Sequence, residues 1–211
     1  VKTKEPISSR RRFLKSGAFA AAGAAAVGLP MVGTAAGHEN AKVLKLQGAW
    51  GGGIFKEYAE DYVRRVNEMS GGSLKIDYLD VGSVVKTSEM QTAVSKGVID
   101  GAHLVSAYWY SKNAAASLFG TGPCWGWTSN QMLGWIHYGG GQELYNEMTD
   151  EILQLDIVGF CSGPMPAQPF GWFTKEVNNV DDINGLDDRT FGIAAQVMQA
   201  SGMCVVEMTD G

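Results

Sequence analysis

Cysteine and histidine are sparse in this chain and too scattered to build a metal or redox centre. Cys124, Cys161 and Cys204 are odd in number and far apart, so neither a disulfide framework nor a zinc-ligand spacing is present. They are expected to be small buried apolar residues. His38, His103 and His137 stand apart from one another and from the cysteines, so no metal cluster is readable. His103 lies in an apolar run and is expected to be a hydrogen-bonded core histidine. G-x-G-x-x-G is absent: Lys56 follows Gly51 and Gly53 where the last glycine is needed, and Leu144 follows Gly139 and Gly141. Neither G-x-x-x-x-G-K-[ST] nor G-x-S-x-G occurs, which removes the usual marks of dinucleotide, P-loop and α/β-hydrolase chemistry. Basic residues are scarce outside the N-terminus. Residues 37–211 hold eleven Lys and Arg against twenty-one Asp and Glu. An acidic body of this kind argues against nucleic acid as a partner. It accommodates an anionic ligand only where a local cation overrides the surrounding field.

What is present begins with an address. Ser9-Arg10-Arg11-Arg12-Phe13-Leu14-Lys15 resembles a twin-arginine export motif. A stretch from Gly17 to Val32, mostly Ala and Gly, follows it, and Thr34, Ala35 and Ala36 supply a small-residue cleavage site before Gly37. This is the layout of a signal peptide. The weak hydrophobicity and the glycines Gly17, Gly23 and Gly28 favour cleavage over a retained anchor. Residues 1–36 are therefore read as a twin-arginine signal peptide, and the protein is expected in the periplasm.

The rest is apolar enough to fold, with 45% hydrophobic and 18% charged residues over the whole chain. Val43, Leu44 and Leu46 predict a first strand. Phe55, Tyr58, Ala59, Tyr62, Val63, Val66 and Met69 recur at helical spacing and predict one inward face, closed by Gly71-Gly72. Leu74, Ile76 and Tyr78 alternate with charges as a strand does. Thr87 or Ser88 is expected to cap a second helix carrying Met90, Ala93 and Val94, and Val98–Val105 reads as a third strand. Strand alternating with helix implies a parallel sheet. Residues 108–127 are aromatic and glycine-rich without a period, as expected of loops lining a cleft. A broken helix over 131–151, a strand at Ile157–Phe160 and a proline-rich break at Pro164, Pro166 and Pro169 come next. The α/β pattern then restarts: a helical turn at 181–186, a strand at Thr190–Ile193 and a helix from Ala194 to Ala200. The fold class expected is α/β, with 37–160 forming most of a first lobe and 161–211 the incomplete start of a second.

Several stretches resemble the DctP-type periplasmic substrate-binding subunit of tripartite ATP-independent periplasmic (TRAP) transporters, in the branch that binds 2-oxo acids and related monocarboxylates. They are Met90-Gln91-Thr92-Ala93-Val94-Ser95-Lys96-Gly97-Val98-Ile99-Asp100-Gly101, Ala107-Tyr108-Trp109 with Lys112-Asn113, and Tyr138-Gly139-Gly140-Gly141-Gln142-Glu143-Leu144. Gly171-Trp172-Phe173-Thr174-Lys175-Glu176-Val177, followed by Gly185-Leu186-Asp187-Asp188-Arg189, is the most specific part. The resemblance implies a two-lobed periplasmic binding fold that closes on a small organic acid and delivers it to the membrane permease of a TRAP transporter, with no reaction catalysed. It also implies an arginine fork for the ligand carboxylate at Arg189. Gln168 would be a polar ligand for the substrate or for a bound sodium or calcium ion, whose remaining ligands would lie beyond this stretch of chain.

The residues themselves support part of this. A lone guanidinium among Leu186, Phe191 and Ile193 suits a carboxylate, although Asp187 or Asp188 offers it an ion pair instead. Tyr108, Trp109 and Trp172 are either cleft walls or core, and Lys175 and Glu176 a solvated edge. Asp187-Asp188 departs from the family's usual basic or apolar pair and weakens the local positive potential. A twin-arginine-exported enzyme and a sensory module on the same fold are the competing readings.

Overall fold

Residues 41–120, 127–162 and 170–207 are described by a computed structural model, and all of them belong to one compact unit, Gly37–Gly211. Strand β1 (Lys42–Gly48) is the centre of a three-stranded sheet, with β2 (Leu74–Leu79) on one side and β3 (Gly101–His103) on the other. Both pairings are parallel, with Leu46 opposite Tyr78 and opposite Gly101. The C-terminal end of β1 is the most deeply buried part of the sheet: Gln47 and Ala49 are fully enclosed.

Helix α1 (Gly53–Met69) crosses from β1 to β2. Its buried row is narrower than the seven residues expected. Ala59 and Val63 are buried and Phe55 and Val66 half-buried, whereas Tyr58, Tyr62 and Met69 are exposed. The expected face spans more of the helix circumference than one sheet can cover, so its tyrosine edge stays in solvent. At the far end of α1 the Asn67 side chain donates to Ile76 O at 3.0 Å and accepts from Ile76 N at 2.7 Å. This amide serves the edge strand β2 as a neighbouring strand would.

The chain enters α2 (Met90–Ser95) through a 3-10 turn, Thr87–Glu89, and neither Thr87 nor Ser88 caps it with a side chain. Backbone carbonyls meet the first donors instead, as in Glu89 N to Lys86 O at 2.9 Å. The third strand is shorter than expected. Val98 N is drawn back to Ala93 O at 2.9 Å, and Asp100 binds Lys45 through both its carboxylate (2.9 Å) and its backbone (3.0 Å). The ladder therefore starts only at Gly101.

Two 3-10 segments, Ser106–Trp109 and Ala114–Phe119, occupy much of the stretch expected to be loop. Helix α3 (Ser129–Tyr138) opens with a capping box between Thr128 and Gln131. Gly140, at φ 85°, separates it from α4 (Gly141–Asn146), which runs on into a π-helical turn, Glu147–Ile152. Ile157–Phe160 is not a strand. Val158 and Phe160 are exposed, and the segment lies against Tyr145, whose ring fills the space a side chain at Gly159 would need. No strand among the described residues pairs with it.

The α/β pattern does restart. Strand β4 (Asp187–Thr190) and β5 (Cys204–Glu207) form a parallel pair joined through α5 (Gly192–Ala200). The strand lies three residues earlier than expected, because Gly192 adopts φ 67° and turns the chain into α5 at once. Cys161 and Cys204 are exposed, not buried: the first lies in the unpaired extended run and the second opens β5. Cys124 lies outside the described residues. One core cluster joins these parts. Ala49, Met90, Tyr108, Trp109, Ala116 and Met148 are buried together, and Trp50, Val85 and Phe191 pack against them.

Candidate ligand-binding site

In open parallel sheets the crevice outside the carboxyl ends of the strands is where ligands bind. Here that edge is marked by Ala49 and Trp50 after β1 and by His103 at the end of β3, tied by Ala49 N to His103 O at 3.0 Å. The indole of Trp50 lies 4.7 Å from the Phe55 ring, 5.1 Å edge-on from His103 and 6.2 Å from Tyr108. Its N–H donates to the Tyr108 hydroxyl at 3.1 Å. Tyr108 in turn lies 4.9 Å from Phe191, in the link between β4 and α5. Above Phe191 is Arg189, its Cζ 5.9 Å from the ring centroid. A continuous path of aromatic contact therefore runs from the end of the first sheet to the guanidinium on the second.

Arg189 is the third residue of β4, opposite Val206 of β5. Strand alternation places it on the same side as Asp187 and opposite Asp188. It is exposed, not shielded as its apolar sequence neighbours suggested. An exposed guanidinium over an aromatic face is a cation of planar geometry, the shape that matches a planar anion.

Gln47 supports the same edge from below. Its amide donates to Val85 O at 2.8 Å and accepts from Val84 N and Val85 N, each at 3.2 Å. This fully buried side chain stitches the loop after β2 to the sheet's centre. His103 departs from expectation: its Nδ1 is buried and has no hydrogen-bond partner among the described residues. Burial holds its pKa below the ordinary histidine value.

A family model described as bacterial extracellular solute-binding protein, family 7 (DctP), matches residues 53–211. The chain belongs to this DctP family. A monocarboxylate 2-oxoacid-binding periplasmic protein of Nostoc sp. is 32% identical over 157 residues, covering 72% of this chain and 41% of that protein. A TRAP periplasmic solute-binding protein of Pseudoalteromonas atlantica, solved with sodium and pyruvate, is 30% identical with a TM-score of 0.71, over 80% of this chain and 51% of its own. The counterpart of Colwellia psychrerythraea, solved with calcium and pyruvate, is also 30% identical with a TM-score of 0.72, over 81% and 51%. The expected two-lobed α/β binding fold is thereby established, and the chain spans about half the length of these relatives.

Within this DctP-family chain the expected site residues fall into three groups. Arg189 and Tyr108 are brought together through Phe191. Trp109, 3% exposed, lies in the buried core cluster, its ring centroid 6.5 Å from that of Tyr145. Trp172 is 92% exposed, so it is not core, and Lys175 and Glu176 form a solvated edge as expected. Gln168 lies outside the described residues. Among the described residues no group of three or more His, Cys, Asp or Glu could hold a metal ion. Sequence reasoning missed Trp50 and Phe191 as parts of the site and Gln47 as its support. The available signal was position: Trp50 follows directly on the first strand of a parallel sheet, where crevices form.

Proposed function

We propose that the protein is an exported receptor that captures a small organic acid, a 2-oxo or hydroxy acid, and delivers it to the membrane subunits of a TRAP transporter without chemical change. The observation that carries this reading is the guanidinium of Arg189 set over Phe191, which reaches Tyr108 and the strand ends beyond it. A carboxylate presents two oxygens in a plane, and an arginine fork matches both. The aromatic floor lowers the local dielectric and strengthens that pairing. It also supplies apolar contact for a short carbon chain. An acidic body with one such cation binds one anionic group rather than a polyanion.

Likeness to relatives solved with pyruvate and sodium or calcium supports the ligand class and a cation beside it. By the same likeness, Gln168 is assigned to the substrate or to that ion. The twin-arginine run and the small residues before Gly37 support export to the periplasm and cleavage of residues 1–36. The two separate sheets, one within 42–103 and one within 187–207, support a division near residue 160 into a first lobe and the start of a second.

Calorimetric titration of the intact protein with sodium pyruvate tests the reading. Arg189→Ala, folded, is expected to lose most of the affinity, and unchanged binding would falsify the carboxylate role.

A further inference from the structure

Two buried polar atoms on one face of the first sheet have no hydrogen-bond partner among the described residues: the Tyr78 hydroxyl oxygen and Nδ1 of His103. Register brings their strands together at Gly48. Gly48 of β1 pairs with His103 of β3, and Leu46, two residues earlier on the same face, pairs with Tyr78 of β2. A side chain at Gly48 would collide with the Tyr78 hydroxyl, which fills the place that residue 48 leaves empty between the two outer strands. Neighbouring strands lie about 4.8 Å apart. The oxygen therefore stands roughly one strand spacing from the base of the His103 side chain, within the sweep of its torsions. In the structure the imidazole instead lies edge-on to Trp50, at 5.1 Å.

The two protonation states of His103 favour different seats. A neutral imidazole packs against an indole and tolerates one unbonded nitrogen. A protonated one carries an N–H on both sides, and a buried cationic N–H without an acceptor is far more costly. The Tyr78 oxygen is an acceptor with nothing bound to it. Burial alone depresses the His103 pKa, with no charged neighbour contributing. The charged groups that face the pair gather on the Tyr78 side: Lys56 and Glu60 of α1, and Asp80 after β2. Lys56 is paired there with Asp80 at 2.7 Å and Glu60 at 3.8 Å. Tyr108, beyond Trp50, is the remaining titratable group.

We propose that His103 is a proton-operated latch at the crevice edge: neutral, it seats the Trp50 indole; protonated, its Nδ1–H moves to the Tyr78 oxygen and frees Trp50. Trp50 follows directly on β1, so acid loosens the wall at the strand ends. The latch is independent of what Arg189 binds.

Heteronuclear NMR of the intact protein through a pH titration tests it. The His103 imidazole is expected to titrate below 6.5, and the Trp50 indole N–H resonance to shift with the same midpoint. Tyr78→Phe removes an oxygen that makes no hydrogen bond, so the fold tolerates the change. It leaves the protonated ring without its acceptor. The His103 midpoint of this variant is expected about one pH unit below that of the wild type, the scale of a hydrogen bond to a charged group. His103→Gln, which carries no proton to gain, is expected to abolish the Trp50 transition. A Trp50 resonance that ignores the His103 midpoint, an unchanged midpoint in Tyr78→Phe, or a Trp50 transition that survives His103→Gln would each overturn the latch.

Discussion

Gly192 sits with φ 67° directly against the side chain of Ser117, so that a Cβ at position 192 would collide with the Ser117 hydroxyl oxygen. Ser117 is fully buried and has little room to yield. The contact joins the start of α5 to the 3-10 segment Ala114–Phe119, and so fixes Phe191 relative to Tyr108. Gly192→Ala combines a backbone conformation that L-residues rarely adopt with overpacking, and is expected to cost about 2–4 kcal/mol of stability. Urea denaturation of the intact protein measures this; a cost under about 0.5 kcal/mol would show that the contact relaxes easily.

Gln47 makes three hydrogen bonds from a position with no solvent access. Gln47→Leu keeps much of the volume but strands the backbone groups of Val84 and Val85. Unsatisfied buried polar groups cost about 1–3 kcal/mol each, so a loss of at least about 2 kcal/mol is expected from chemical denaturation. A neutral result would mean that the loop finds other partners.

The low pKa of His103 makes a statement about acid. Burial favours the neutral imidazole in the folded state, so the unfolded chain binds the extra proton first. The stabilisation is complete above the unfolded value of 6.5 and is lost as pH falls from there through the depressed folded value. Wild-type stability is therefore expected to drop between pH 7 and acidic pH more steeply than that of His103→Gln. Parallel slopes in urea titrations of the two proteins would remove His103 from the account.

Arg189→Lys separates charge from shape. An ammonium keeps the positive charge but offers no planar fork, so affinity for pyruvate is expected to fall nearly as far as in Arg189→Ala. Truncating one partner of such a pair costs about 2–5 kcal/mol, roughly thirty-fold to several-thousand-fold in affinity. Gln168→Ala is expected to cost less, about 1–2 kcal/mol, if it gives only a neutral hydrogen bond. A larger Gln168 effect that vanishes when sodium and calcium are withheld assigns it to the cation.

On the proposed twin-arginine route, export depends on Arg10 and Arg11. Changing both to Lys keeps the charge of the segment and is expected to block appearance of the mature protein, beginning near Gly37, in the periplasmic fraction. Normal export of the double variant would exclude the twin-arginine route.

Local chemistry makes much of this fold legible in the sequence. Apolar alternation and spacing located β1, α1, β2 and α5 to within a few residues, because those patterns follow from the pitch of helix and strand alone. The restart of the α/β pattern after the prolines was legible for the same reason. What failed was whatever depends on a neighbour. Ile157–Phe160 has the composition of a strand but lies against the Tyr145 ring instead of a ladder. The exposure of Tyr58 and Tyr62 depends on how much of α1 one sheet can cover.

The site divides along the same line. The sequence by itself determined that Arg189 stands in an acidic chain, near the apolar residues Leu186, Phe191 and Ile193 and in a motif that resembles a binding family's. Only the tertiary structure decided that Arg189 lies over Phe191, that Phe191 meets Tyr108, and that Trp50, more than fifty residues earlier, holds the Tyr108 oxygen. Periodicity describes which side of an element a residue occupies. It carries no information about which other element that side will meet, since that is settled by packing between segments distant in the chain.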